Sequence, residues 1–255
     1  MIPLFAATLA LGLAASGTAL AEKLTIALSS PDVTINSSFA GANLTVFGVI
    51  DRGAAVTGST PGYQVAVVLR GPLETVVARR KERILGIWAN AASETFEAAP
   101  SFYAVSSSTE IRAVANPPVL GRLQLGIDTI GFHYAGRAAA NDPTAAGFRD
   151  AFIRLKQGGR LYQQQVDVRF IGDLIFRTTF RLPASIPIGP YRADAYLFSS
   201  GQFLARADES LIVTKTGAED TLSAFARNQS LLYGIICVAL ALLTGWLGGV
   251  IFRRD

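Results

Sequence analysis

Arg79, Arg80, Lys81, Glu82 and Arg83 form the densest run of charge in the 255-residue chain. Successive side chains of an extended strand point to opposite faces, so Arg79, Lys81 and Arg83 share one face and Arg80 and Glu82 the other. Three aligned cations suit two kinds of work. Guanidinium forks pair with oxyanions, or with carboxylates on another protein, which would make this strand an anion or partner-docking site. The same charges on an edge strand discourage edge-to-edge aggregation and ask for no ligand. Both readings stay open at this level.

The remaining reactive residue types are isolated. His133, the single histidine, stands in GFHYAG between two aromatics, and a general base needs an oriented partner that this segment does not offer. It reads as a satisfied or surface imidazole. Ser106, Ser107 and Ser108 close an alternating run and read as turn formers rather than nucleophiles. The adjacent carboxylates Asp208-Glu209 and Glu219-Asp220 fall in turn-like sequence, and nothing favours a glycosidase pair. G-x-S-x-G, H-E-x-x-H and P-loop patterns are all missing. One Cys rules out an intramolecular disulfide, and one Cys with one His rules out a His- or Cys-rich metal site. The sequence therefore assigns no catalytic, cofactor-binding or metal-ligating residue. Net charge is +4, from 23 Lys and Arg against 19 Asp and Glu, too weak and scattered for nucleic acid.

The elements that must hold these residues begin with the two ends. Half of the residues are hydrophobic and 16% are charged, with a mean hydropathy of +0.36, where an ordinary soluble domain carries about 25% charge. The apolar excess lies at the termini. Residues 4–20 are Ala/Leu-rich and end in Ala19-Leu20-Ala21, a signal-peptidase pattern with cleavage expected after Ala21, although no Lys or Arg precedes the run. Residues 231–252 carry no charge and would make a helix about 33 Å long, slightly more than the roughly 30 Å hydrocarbon core. Tyr233, Trp246 and Phe252 suit the two interfaces. Arg253 and Arg254 follow as a membrane stop, which keeps the C-terminus cytoplasmic and places everything before Leu231 outside. The expectation is a single-pass protein of the bacterial inner membrane with a periplasmic N-terminal domain and the lipid bilayer as its first partner. Cys237 lies inside the span and reads as a reduced, lipid- or helix-facing thiol. Gly245 and Gly249 form a G-x-x-x-G that permits close helix pairing. Residues 219–230 read as a helical stalk.

Between the ends, short alternating runs dominate. Leu44, Val46 and Ile50 share one face of 42–51, and Tyr63, Val65, Val67 and Leu69 one face of 63–69; further runs cover 24–28, 73–79, 84–89 and 102–107. Turn residues separate them, among them Ser30-Pro31-Asp32 and Gly71-Pro72, a spacing that predicts a β-sandwich. Trp88 reads as a core tryptophan in mid-sheet. Asn116-Pro117 opens a helix near 117–125 with Asn as its cap, and Pro143 one over 143–157, where Phe148, Phe152 and Leu155 face inward and Arg149, Asp150, Arg154 and Lys156 face water. Strands then resume over 166–170, 174–182 and ADAYLF, with two more over 202–214. The fold class is mainly β: two immunoglobulin-like or β-sandwich-type units, 22–115 and 116–218, with a small helical insertion and one C-terminal transmembrane helix. Pattern does not decide whether the units pack as one body.

Residues 79–90 (RRKERILGIWAN), 100–105 (PSFYAV), 148–155 (FRDAFIRL), 187–198 (PIGPYRADAYLF) and 232–255 resemble the uncharacterised alpha-proteobacterial transmembrane protein family Alph_Pro_TM across nearly the whole chain after residue 21. The resemblance implies no reaction, catalytic residue or cofactor. It does imply a partner, since members of the family tend to be encoded near sulfite-exporter-type membrane proteins. Two function classes follow: a non-enzymatic accessory or binding module of a membrane assembly beside a multi-span transporter, or a periplasmic enzyme whose site escapes motif reading.

Overall fold

A computed structural model describes residues 22–52, 62–84, 86–135, 143–216 and 226–251. The expected signal segment, most of the expected stalk, and Arg253 and Arg254 lie outside the described residues. The first strands are β1 (Lys23–Leu28), β2 (Asp32–Ile35), β3 (Gly41–Asp51), β4 (Tyr63–Arg70), β5 (Leu73–Ile84), β6 (Ile87–Pro100) and β7 (Tyr103–Ser107). Helices α1 (Ile111–Val114) and α2 (Pro117–Leu123), the short strand β8 (His133–Tyr134) and helix α3 (Pro143–Gly158) come next. Then follow β9 (Tyr162–Val166), β10 (Arg169–Ile171), β11 (Ile175–Pro183), β12 (Gly189–Ser199), β13 (Gln202–Lys215) and helix α4 (Ser230–Ile251).

Three sheets result. An antiparallel sheet runs β1-β3-β11-β10, a mixed six-stranded sheet runs β2-β13-β12-β4-β7-β9, and a small one runs β5-β6-β8. The two large sheets face each other, with Leu44, Val46, Ile50, Phe176 and Phe180 packed against Val65, Val67, Leu69, Ala195 and Leu197. A second core lies on the far face of the six-stranded sheet. There Ala66, Val68, Tyr103, Val105 and Phe198 are covered by Ile111, Leu120, Phe148 and Phe152 from the helices and Phe96 from β6. The six-stranded sheet is thus buried on both sides, which is why β4 reads as a nearly unbroken apolar run rather than an alternation.

The mainly β architecture and the apolar C-terminal helix stand as the sequence indicates. Helix α4 spans 22 residues and is long and apolar enough to cross a membrane, one residue out of step with 231–252. Several details differ. β11 lies beside β3 and β12 beside β4, so strands from both sides of residue 116 share each large sheet and a boundary at 115/116 separates no two sheets. Two of the pairings behind this, β7 with β9 and β13 with β2, are parallel. Residues 202–214 form one long strand, not two. The run 84–89 is broken by the hairpin turn between β5 and β6, so Trp88 sits one ladder step from that turn, opposite Arg83, rather than in mid-sheet; its side chain lies outside the described residues. The Asn116 side chain makes no cap bond, and its carbonyl accepts from the N–H groups of Val119 and Leu120. Ser106 does not form a turn. Its buried hydroxyl meets that of Thr178 at 2.7 Å and ties β7 to β11 across the sandwich.

Candidate functional site

The charged run lies on β5, one arm of a long antiparallel hairpin. β6 is its partner, and Gly86 takes a φ of +87° at the turn. β6 also pairs with β8, whereas β5 is at the end of the order β5-β6-β8 and, among the described residues, leaves one edge open. Register slips fall between Glu74 and Val76 and between Arg80 and Lys81. In each case the extra residue is in β6, so β5 keeps its own alternation. Glu74, Val76 and Ala78 are half-buried toward α3, while Leu73, Thr75, Val77, Arg79, Lys81 and Arg83 are exposed. Arg83 leans on the turn, its Nε 3.4 Å from the Gly86 carbonyl. Arg80 takes the opposite side and stacks its guanidinium 5.8 Å from the Phe148 ring centroid.

Between β5 and α3 lies a groove of about 480 Å³ lined by Val76, Val77, Ala78, Phe148, Ala151 and Leu155, with Arg79, Arg80 and Arg154 also bordering it. Helix α3 buries Phe148, Phe152 and Ile153. Leu155, expected inward on the same stripe, is instead 73% exposed and forms part of the groove wall. Lys156, expected in water, is drawn in: its Nζ lies 2.6 Å from Glu74 Oε1 and 3.3 Å from the Ser101 carbonyl, pinning the end of α3 to the start of β5. That pair neutralises Glu74, and the charged residues that line the groove are Arg79, Arg80 and Arg154.

A second depression, about 910 Å³ and polar, opens where β9 approaches β11. Two of its amides are already occupied. Gln163 Nε2 donates to the carbonyls of Arg160 and Arg181 at 2.7 and 2.9 Å, and Gln165 Nε2 to that of Thr179 at 2.8 Å. Tyr162 turns its hydroxyl to the Pro100 carbonyl. These contacts stitch the two sheets together.

The other singled-out residues stay apart from both depressions. His133 is exposed on β8 opposite Glu97. Ser107 Oγ donates to the Thr109 carbonyl, and Ser108 Oγ accepts the Val65 N–H. Cys237, Gly245 and Gly249 lie on exposed α4, with open space where a Cβ would stand at either glycine. Among the described residues no group of three His, Cys, Asp or Glu side chains is placed to hold a metal ion. Sequence reading missed Asp194, buried on β12 with its carboxylate 2.6 Å from Arg70 Nη1, 2.7 Å from Arg206 Nη2 and 3.2 Å from Arg192 Nε. A lone acid inside ADAYLF was the available signal.

No curated protein matches the sequence. A family model does, over residues 23–254, and the chain therefore belongs to the family described as "Putative transmembrane protein (Alph_Pro_TM)".

Proposed function

We propose that this protein is a non-enzymatic binding module of the bacterial inner membrane, anchored by α4 with its β body in the periplasm. In this reading it docks a multi-span transporter of the sulfite-exporter kind. The observation that carries the reading is the exposed row Arg79, Lys81 and Arg83 on an open sheet edge beside a basic, apolar-floored groove. Such a surface suits a partner that brings carboxylates and apolar side chains together. The polar cleft lends less support to an enzyme, because Gln163 and Gln165 are committed to backbone carbonyls and no nucleophile–base pair lines it.

The test is recovery of co-purifying membrane proteins from mild-detergent extracts. Reversing Arg79, Lys81 and Arg83 together to Glu is expected to abolish recovery and leave the melting temperature nearly unchanged, because exposed charges contribute little to stability. Arg80 lines the groove and makes a poor control. Arg177, exposed on β11 in the opposite sheet, is a better one, and Arg177→Glu should leave recovery intact. Unchanged recovery after the triple reversal would reduce the row to edge protection.

A further inference from the structure

We propose that the partner engages β5 by strand addition: an extended segment alternating apolar and acidic residues pairs with the open edge at Val77 and Arg79 and seats its apolar side chains against α3. This rests on the docking reading above and names the chemistry of what docks.

The backbone supplies the first argument. The Ala135 N–H donates to the Thr95 carbonyl at 2.9 Å, so Thr95 turns its backbone groups toward β8 and away from β5. Val77 is the residue opposite Thr95 in the β5–β6 ladder. Members of an antiparallel pair exchange both hydrogen bonds or neither. Val77 must therefore aim its N–H and C=O away from β6, and Arg79, two residues on, does the same. Those groups lie along the groove and can serve an incoming strand about 4.8 Å away.

The side chains supply the second. An added strand continues the two faces of β5. Its inward side chains would lie beside Val76 and Ala78 and meet Ala151 and Leu155 across the groove, an apolar environment. Its outward side chains would stand next to Arg79, Lys81 and Arg83, where cross-strand neighbours of opposite charge are favoured and like charges are not. Charge also decides against a second copy of β5, which would bring the same run of cations to the edge. The cations thus disfavour a basic strand while admitting an acidic one, so protecting the edge and choosing the partner are one device.

The experiment uses the full chain in detergent micelles and a fluorescein-labelled, capped octapeptide of alternating Val and Glu, read by anisotropy. A second peptide carries N-methyl groups on every other amide, which removes one edge of donors, and a third has Lys in place of Glu. Saturable binding of the first is expected, with the other two at least tenfold weaker. Val77→Pro should weaken the first at least tenfold, because the lost N–H faces the open edge, where proline is tolerated. The triple reversal of Arg79, Lys81 and Arg83 to Glu should exchange the preference between the Glu and Lys peptides. Equal binding of the N-methylated peptide by the wild-type chain, or no saturable binding of the first, overturns strand addition. If Val77→Pro disturbs the near-UV spectrum, the N-methylated peptide on the wild-type chain decides alone. Loss of membrane-protein recovery in the triple reversal, together with equal binding of the N-methylated peptide, would sink strand addition and leave the docking reading standing.

Discussion

Asp194 shows how much one side chain can organise. Its carboxylate is 2% exposed and faces three guanidiniums, of which Arg70 also donates to the Leu123 carbonyl at the end of α2. One acid thereby joins β4, β12 and β13 to the helical layer. Removing one partner of a buried ion pair strands the others, so Asp194→Ala should cost about 3–5 kcal/mol in a denaturant titration of the chain in micelles. A loss below about 1 kcal/mol would show that water reaches the arginines. Tyr103, nearby, is governed by desolvation. Burial pushes its hydroxyl up to about 12, against the pull of the Gly126 N–H it accepts and the Arg70 guanidinium. Tyr162 and Tyr191 are raised too, first of all by burial. A raised folded-state value means that the unfolded chain gives up its proton first as pH climbs. Stability should be complete below pH 10 and fall between pH 10 and about 12, by about 1.4 kcal/mol per pH unit for each such tyrosine. Tyr103→Phe should make that fall shallower by about one tyrosine's share, as measured by alkaline unfolding curves.

Among the elements, β3 and β11 make the tightest pairing argument. Gly48 lies opposite Phe176, and a Cβ built there would stand 2.1 Å from the Phe176 ring. The ring fills the space that the glycine leaves. Gly48→Ala should therefore cost about 1–3 kcal/mol by overpacking, and adding Phe176→Leu should recover part of it. A neutral Gly48→Ala would mean that the ring moves aside freely. Strands such as β3 and β11 were legible because one face of each is buried and the alternation of Leu44, Val46 and Ile50, or of Phe176, Phe180 and Leu182, reports that directly. β4 was legible as a strand but not as a central one, since Ala66 and Val68 are buried under helices from beyond residue 110 and Phe96 of β6. The alternation along 79–83 gave the exposed row. The groove beside it needed α3, some seventy residues further along, and the exposure of Leu155 follows from where that helix docks rather than from its period.

At the scale of the whole molecule, the interleaving of strands from both halves makes the β body a single unit between residue 22 and residue 216, followed by one apolar helix. Local pattern cannot announce such mixing, because parallel pairs like Tyr103 with Tyr162 join strands whose separation no turn signal bridges. What local chemistry does predict is direction. Helix α4 carries no charge, and positive residues are retained on the cytoplasmic side of a span, so Arg253 and Arg254 should lie inside and the β body outside. Alkaline phosphatase, active only after export, should be active when fused after Thr216 and inactive after Asp255. A fluorescent protein that matures in the cytoplasm should show the reverse pattern. Activity of the phosphatase at Asp255 would put the β body in the cytoplasm, and with it the edge of β5, where a periplasmic segment of a transporter could not reach it.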